Sequence, residues 1–451
     1  MAWILEVPMS FARRAGALLT LTVLVATPHA LVVSPSSATP APAGASARSM
    51  TDSKGSKGSA QVVLDWERYS FEAVYPLPTS VIPVGVPVLG FTSLTMYDAA
   101  RTSLRRANSS ETAAVATAAH GVLSHYAPLL HNSATDTTTA PAVISQLKTR
   151  LAATLASVPD GAAKDRGKHI GGRAAARFVA GRDGDHFLDQ SIHYTKAPPL
   201  PAYAAPGLWQ VAPPRTDMVA AWLGSLRPLV LKRQARVNGP DGLRSYAYAR
   251  DFNEVKRYGA KASTRRSTEE TQHAHFFNAN SATMVGRALI GYLMERPMSL
   301  RDTSRLFAVM HAAMTDTLVR CWQLKRDVGF WRPSQAIARA SEDGNSATTP
   351  ENGWAPLLPE PPYSDYLSGH GCLTGPATET IRRNLGEGTA LRLVTTDASA
   401  TVKEREYTNL SDIETDALNS RIWGGLHFRD AMEDAYDVGR ETARQVNRKL
   451  D

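Results

Sequence analysis

Residues Lys325 to Ile337 read KRDVGFWRPSQAI and follow an apolar stripe made by Leu306, Met310, Met314, Leu318 and Cys321. These residues recur at steps of three and four, the spacing of one buried face of an α-helix. Lys325 lies four residues beyond Cys321, on the same face. A buried ammonium is costly without a partner, and Arg332 follows closely. The segment thus delivers two cations to one place in the interior. The implied partner is an anion that need not belong to the protein.

Working outward, helical patterns dominate and alternating β-branched runs are scarce. Ala- and Leu-rich helical segments cover about 88 to 105, 111 to 126, 141 to 157 and 161 to 182, with breaks at Pro and Gly clusters. The Pro-rich stretch KAPPLPAYAAPGLWQVAPPR reads as an extended strap, with a short helix near Met218 to Leu231 beyond it. Helical signals return at Ser267 to Met294, at Ser299 to Lys325, after His370 and after Ser411. Ala340 to Tyr366 is rich in Gly, Pro, Asn and Ser and reads as a long ordered loop, a length that usually has a purpose.

The 451 residues suffice for one large core or two bundles, with 43% hydrophobic and 20% charged residues. The net charge of +8 comes without a concentrated Lys/Arg block, which argues against nucleic-acid binding. Arg13 and Arg14 precede an apolar run from Ala15 to about Ala26, and small residues stand at Ala45-Ser46-Ala47. This pattern predicts a signal peptide and flexible Pro/Ala/Ser-rich segment over residues 1–47, and a secreted or periplasmic protein. No later stretch suits a bilayer span, so the expected mature chain has no transmembrane anchor. The two cysteines, Cys321 and Cys372, are too few for a disulfide scaffold and lack zinc-ligand spacing. They read either as separate buried thiols or as a pair.

Two further segments bear chemistry. In PPYSDYLSGHGCLTGPATETI, Ser368-Gly369-His370 precedes an amphipathic helix. Such a turn offers a hydroxyl, open backbone N–H groups and the positive end of a helix dipole to an oxyanion. Alone it reads more readily as a helix cap with an exposed His370. In NSRIWGGLHFRDAMEDAYDVGRETARQV, Arg421 and His427 flank a Gly-Gly bend that allows both to face one site. Alone they also suit a structural helix start.

In order the three segments give Lys-x6-Arg-Pro, Ser-Gly-His and Ser-Arg-x5-His. This combination resembles the vanadium-dependent haloperoxidase and type 2 phosphatidic acid phosphatase superfamily. CWQLKRDVGFWRPSQAI and NSATTPENGWAPLLPEPPYSDYLSGHG resemble its haloperoxidase branch, with weaker similarity in SLTMYDAARTSL and VPDGAAKDRGKHIGGRAAARFVAG. The resemblance implies an all-α fold in which a 60–235 helical region packs on a 236–451 bundle that holds an oxyanion cage in its core.

It also implies that vanadate occupies the cage, a place phosphate can take. Lys325, Arg332 and Arg421 would neutralise its oxygens, Ser368 and the Gly369 N–H would add hydrogen bonds, and His427 would supply the axial nitrogen. His370 would accept a proton from hydrogen peroxide while Lys325 polarises the peroxide for attack by a halide. The hypohalous acid released would halogenate a small organic acceptor. Trp322, Phe330, Trp331 and Tyr363 are expected to wall the halide or substrate pocket, Phe330 and Trp331 being equally suited to the core.

The alternative within the superfamily is an exported acid phosphatase in which His427 attacks phosphorus and His370 protonates the leaving alcohol. The phosphatases place an orienting Asp four residues after the nucleophilic His, where this chain has Ala431, with Asp430 and Glu433 nearby. That departure favours the peroxidase. Leu367 replaces the usual Pro before Ser-Gly-His, and Tyr363 stands where chloroperoxidases tend to have Phe, which leaves halide preference open. The sequence does not fix an oligomeric state.

Overall fold

In a computed structural model, residues 57–133, 135–198 and 204–451 are described. The expected signal segment over 1–47 lies outside them. Thirteen α-helices occur among the described residues: α1 Lys57–Val74, α2 Ile82–Leu104, α3 Glu111–His131, α4 Thr139–Ala156, α5 Ala162–Gly181, α6 Tyr246–Tyr258, α7 Thr268–Phe276, α8 Ser281–Glu295, α9 Leu300–Asp327, α10 Pro333–Ala338, α11 Gly369–Leu385, α12 Leu410–Trp423 and α13 Arg429–Lys449. The protein is all-α. The one departure is a small antiparallel pair, β1 Leu391–Val394 with β2 Glu404–Tyr407, in which Leu391 faces Tyr407.

Helix α9 is the axis of the molecule. Its N-cap Ser299 accepts a hydrogen bond from Asp302 N–H, and 21 of its 28 residues are buried, so both sides must be covered by other helices. One side packs against α1 and α2, the other against α11 and α13. Polar groups pin the first side as well as apolar ones. The buried Ser93 hydroxyl of α2 donates to Glu67 of α1 (2.7 Å) and lies 2.8 Å from His311 Nδ1 of α9. Among the described residues no helix is long and apolar enough to cross a membrane.

The expected helix over Met218 to Leu231 is a single 3-10 turn, Ala221–Ser225, followed by extended chain. Pro228 cannot continue a helix, and Asp316 of α9 takes the N–H groups of Leu229, Val230 and Leu231 that a helix would need. Burial pushes the Asp316 carboxyl up to about 6. Asp316→Ala leaves these donors without an acceptor and is expected to cost about 3 kcal/mol at neutral pH. A carboxyl raised on folding adds stability below its unfolded value and loses it as pH rises through its folded value. The gap between wild type and variant in urea unfolding therefore widens from pH 7 to pH 5.

Three devices bring the end of α9 into the site. Gly329, at φ +65°, makes the turn after the helix, and a side chain there would collide with the Tyr194 hydroxyl. The strap then clamps the turn: Trp209 N–H donates to Gly329 O (2.7 Å) and Trp331 N–H to Gly207 O (2.9 Å). Pro333, at the first position of α10, restarts the helix directly after Arg332, where a missing N–H costs nothing. The Arg-Pro junction therefore fixes the direction in which Arg332 leaves the chain.

Candidate active site

Lys325, Arg332 and Arg421 are each 2% exposed or less. Lys325 Nζ donates to the carbonyls of Ser364 (2.8 Å) and Asp365 (2.9 Å), which leaves one of its three donors. Arg332 Nε donates to Tyr363 O (2.8 Å) and its Nη1 to Leu426 O (2.7 Å), with His427 Nε2 3.2 Å from the same nitrogen. Arg421, in the last turn of α12, donates to Phe277 O at 3.3 Å. Carbonyls thus hold the three cations in place without neutralising them. Burial lowers Lys325 to about 8 and Arg421 to about 10.

The loop from Ala340 to Tyr366 has the purpose its length suggests. Ser364 Oγ donates to Lys325 O (2.7 Å) and Asp365 N–H to Phe330 O (2.9 Å), so the loop is fastened along the α9 terminus. The ring of Tyr363 lies under both Lys325 Nζ (4.9 Å) and the Arg332 guanidinium (5.0 Å), a stabilising arrangement in a dry site. Ser368 occupies the N-cap of α11, but its hydroxyl makes no capping bond and has no partner. Its N–H donates instead to Ala431 O (2.9 Å), which ties the Ser-Gly-His turn to α13. Gly425, at φ +76°, bends the chain between Arg421 and His427.

Their surroundings favour the neutral form of both histidines. Burial drives both well below the ordinary imidazole range, and the neighbouring cations push the same way. His427 Nδ1 is 2.7 Å from Asp365 Oδ1, with both side chains buried. Arg332 Nη1, a donor, faces Nε2 and requires the lone pair there. The proton of the ring is therefore on Nδ1, shared with Asp365, whose carboxyl burial pushes up to about 8. Asp365 is the residue that sequence reading missed. The phosphatase pattern places an orienting carboxylate after His427, whereas Asp365 arrives from the loop before Ser368. Asp430 does not substitute: it accepts from Asp241 N–H and donates its own N–H to Asp251. An orienting carboxylate is present after all, so the Ala431 departure does not separate peroxidase from phosphatase.

Several buried polar atoms around this point have no hydrogen-bond partner: Arg332 Nη2, Arg421 Nε, Ser368 Oγ, His370 Nε2 and Asp365 Oδ2. Unpartnered buried donors are rare and costly. Three of these five, Arg332 Nη2, Arg421 Nε and Ser368 Oγ, can donate to an oxyanion, and the donor set fits vanadate or phosphate. Beside it lies a cavity of about 30 Å³ lined by Trp322, Tyr363, Gly369, His370, Ile82 and Ser281 among others. Trp322 and Tyr363 line it. Phe330 and Trp331 do not: the backbone pairing of Phe330 with Leu208 turns its ring onto Tyr248 and Phe428, and Trp331 is sealed in the core. Cys321 and Cys372 are free thiols, both buried.

The VCPO second helical-bundle domain matches residues 305–451, the stretch containing every cage residue. That stretch, about a third of the chain, places residues 305–451 in the vanadium haloperoxidase and type 2 phosphatidic acid phosphatase superfamily. Within this superfamily, the vanadium chloroperoxidase of Curvularia inaequalis is 27% identical over 181 residues, 32% of this chain and 29% of the length of that relative. Two solved structures share the fold. A bacterial vanadium-dependent iodoperoxidase has a TM-score of 0.65 at 18% identity, covering 88% of this chain and 97% of that one. An apo-type bacterial vanadium-dependent chloroperoxidase has a TM-score of 0.64 at 16% identity, covering 83% and 94%.

Proposed function

We propose that this enzyme is a vanadium-dependent haloperoxidase that uses hydrogen peroxide to oxidise a halide to hypohalous acid. The observation that supports it most is the cluster of unpartnered donors, Arg332 Nη2, Arg421 Nε and Ser368 Oγ, beside the neutral Nε2 of His427. Vanadate, when bound, supplies an electron-poor centre that activates peroxide without changing oxidation state.

The chain does the rest. Lys325, Arg332 and Arg421 balance the charge of the oxyanion, and Ser368 Oγ and Gly369 N–H bond its oxygens. His427 offers the Nε2 lone pair, held toward the cage by Asp365 on the opposite nitrogen. His370 Nε2, neutral and unpartnered, takes a proton from incoming peroxide. The one free donor of Lys325 would be available to hydrogen-bond an oxygen of the peroxide. Trp322 and Tyr363 give the halide a small, water-poor compartment beside His370.

The second reading is a phosphatase, and one observation favours it: a neutral His427 paired with Asp365 is also what a phosphohistidine nucleophile requires. A paired assay on phosphate-free apoprotein separates the two. Bromide and chloride oxidation is measured with peroxide after adding orthovanadate, beside p-nitrophenyl phosphate hydrolysis without it. Halide oxidation that depends on vanadate and disappears in excess phosphate is the expected result. Hydrolysis inhibited by vanadate, with no halide oxidation, overturns the peroxidase.

A further inference from the structure

A much larger cavity, of about 720 Å³, lies next to the compartment at His370. Ile82 lines both, and the connection continues along one short segment. Asn278, Ala279 and Asn280 line the large cavity, while the next residue, Ser281, lines the small one. The same segment begins at Phe277, whose carbonyl receives Arg421. The wall of the cage is therefore also the inner wall of the large cavity.

The two volumes suit different reactants. About 30 Å³ holds a water-sized or halide-sized species, and no ring fits there. About 720 Å³ falls in the range of organic ligand sites. Apolar surface comes from Leu77, Ile82 and Met284. Of the charged side chains in the lining, Arg392 is paired with Glu404, and Asp397 accepts from Asn278. Among the described residues that line it, the exposed Arg287 is the one charged side chain with neither ion pair nor hydrogen bond. A buried hydroxyl in the lining, Thr283 Oγ1, also has no partner. Arg287 stands six residues beyond Ser281 on α8, about 9 Å along the helix axis.

Resting on the haloperoxidase reading, we propose that this cavity is the site of the organic acceptor, and that the acceptor is an electron-rich aromatic carboxylate about 9 Å long. Its carboxylate pairs with Arg287, its apolar body lies on Leu77 and Met284, and its nucleophilic carbon faces the seam at Ile82 and Ser281. Hypohalous acid crosses that seam. The ring carbon donates an electron pair to the halogen, the halogen–oxygen bond breaks, and the departing hydroxide takes the ring proton to form water. Oxidation and halogenation then occur in adjacent compartments, and the acceptor never enters the cage.

The test uses the fluorescence of 6-hydroxy-2-naphthoate titrated with the full protein in the absence of vanadate, with 2-naphthol as the neutral comparison. Arg287→Glu is expected to weaken naphthoate binding at least about tenfold, the loss of one charge-assisted bond, and to leave naphthol within about twofold. Arg287→Lys should recover part of the loss. Vanadate affinity, measured in parallel, should stay at the wild-type value and so report an intact fold and cage. Equal effects on both ligands, or no effect on naphthoate, overturn the site. The titration does not require turnover. If halide oxidation fails while naphthoate binding still depends on Arg287, the haloperoxidase reading falls and the anion site stands.

Discussion

His427→Ala is expected to lower vanadate affinity by more than about 100-fold, beyond the 10–100-fold typical of residues that only support a ligand. His370→Ala, by contrast, should retain vanadate and lose most halide oxidation. The difference follows from the two environments. His427 Nε2 lies beside Arg332 at the centre of the donor cluster, with its other nitrogen committed to Asp365. His370 stands at the boundary with the small compartment, with Nε2 free. Removing His427 also leaves Asp365 without its partner, so circular dichroism should first establish that the variant folds. Calorimetric titration with orthovanadate, on protein exchanged out of phosphate, then reads the two variants. Wild-type affinity in His427→Ala would exclude it as the residue that holds vanadate, and full turnover in His370→Ala would remove it from proton transfer.

The order of legibility follows from which interactions are local. Lys325 on an apolar stripe is a contradiction visible in sequence, because helical periodicity alone places the ammonium inside. The same holds for the Ser-Gly-His turn and for the Gly-Gly bend before His427, where short-range geometry restricts the options. The fold class was readable from helical periodicity for the same reason. Asp365 was not readable, since its role depends on a loop that crosses from the α9 terminus to α11 and meets His427, 62 residues later in the chain. Sequence left Phe330 open between pocket and core because a single backbone pairing with Leu208, in the strap, decides which way its ring turns. The helix expected at Met218 to Leu231 failed for a related reason: Asp316, far away in sequence, offers that backbone better hydrogen bonds than a helix does. In each case the deciding contact joins segments that no local pattern connects.

Asp365→Ala tests the least anticipated of these contacts. The substitution leaves the backbone bonds of Asp365 intact, its carbonyl to Lys325 and its N–H to Phe330, so the cage framework should survive. What it removes is the acceptor that keeps the proton on Nδ1 of His427. Without it the ring can carry the proton on Nε2, where it blocks the lone pair and confronts Arg332. Vanadate affinity is expected to fall about 10–100-fold, the range seen when a group orienting a ligand is lost. A merely structural role would leave the ring proton where it is, so the decisive readout is the ¹⁵N shift of the two imidazole nitrogens. Wild type should show a single Nδ1–H tautomer, and Asp365→Ala a mixture. Asp365→Asn retains an oxygen able to accept from Nδ1 but cannot share the proton, and should fall between the two. A single unchanged tautomer together with unaltered vanadate affinity in Asp365→Ala would mean that Arg332 and the cage walls suffice to hold His427.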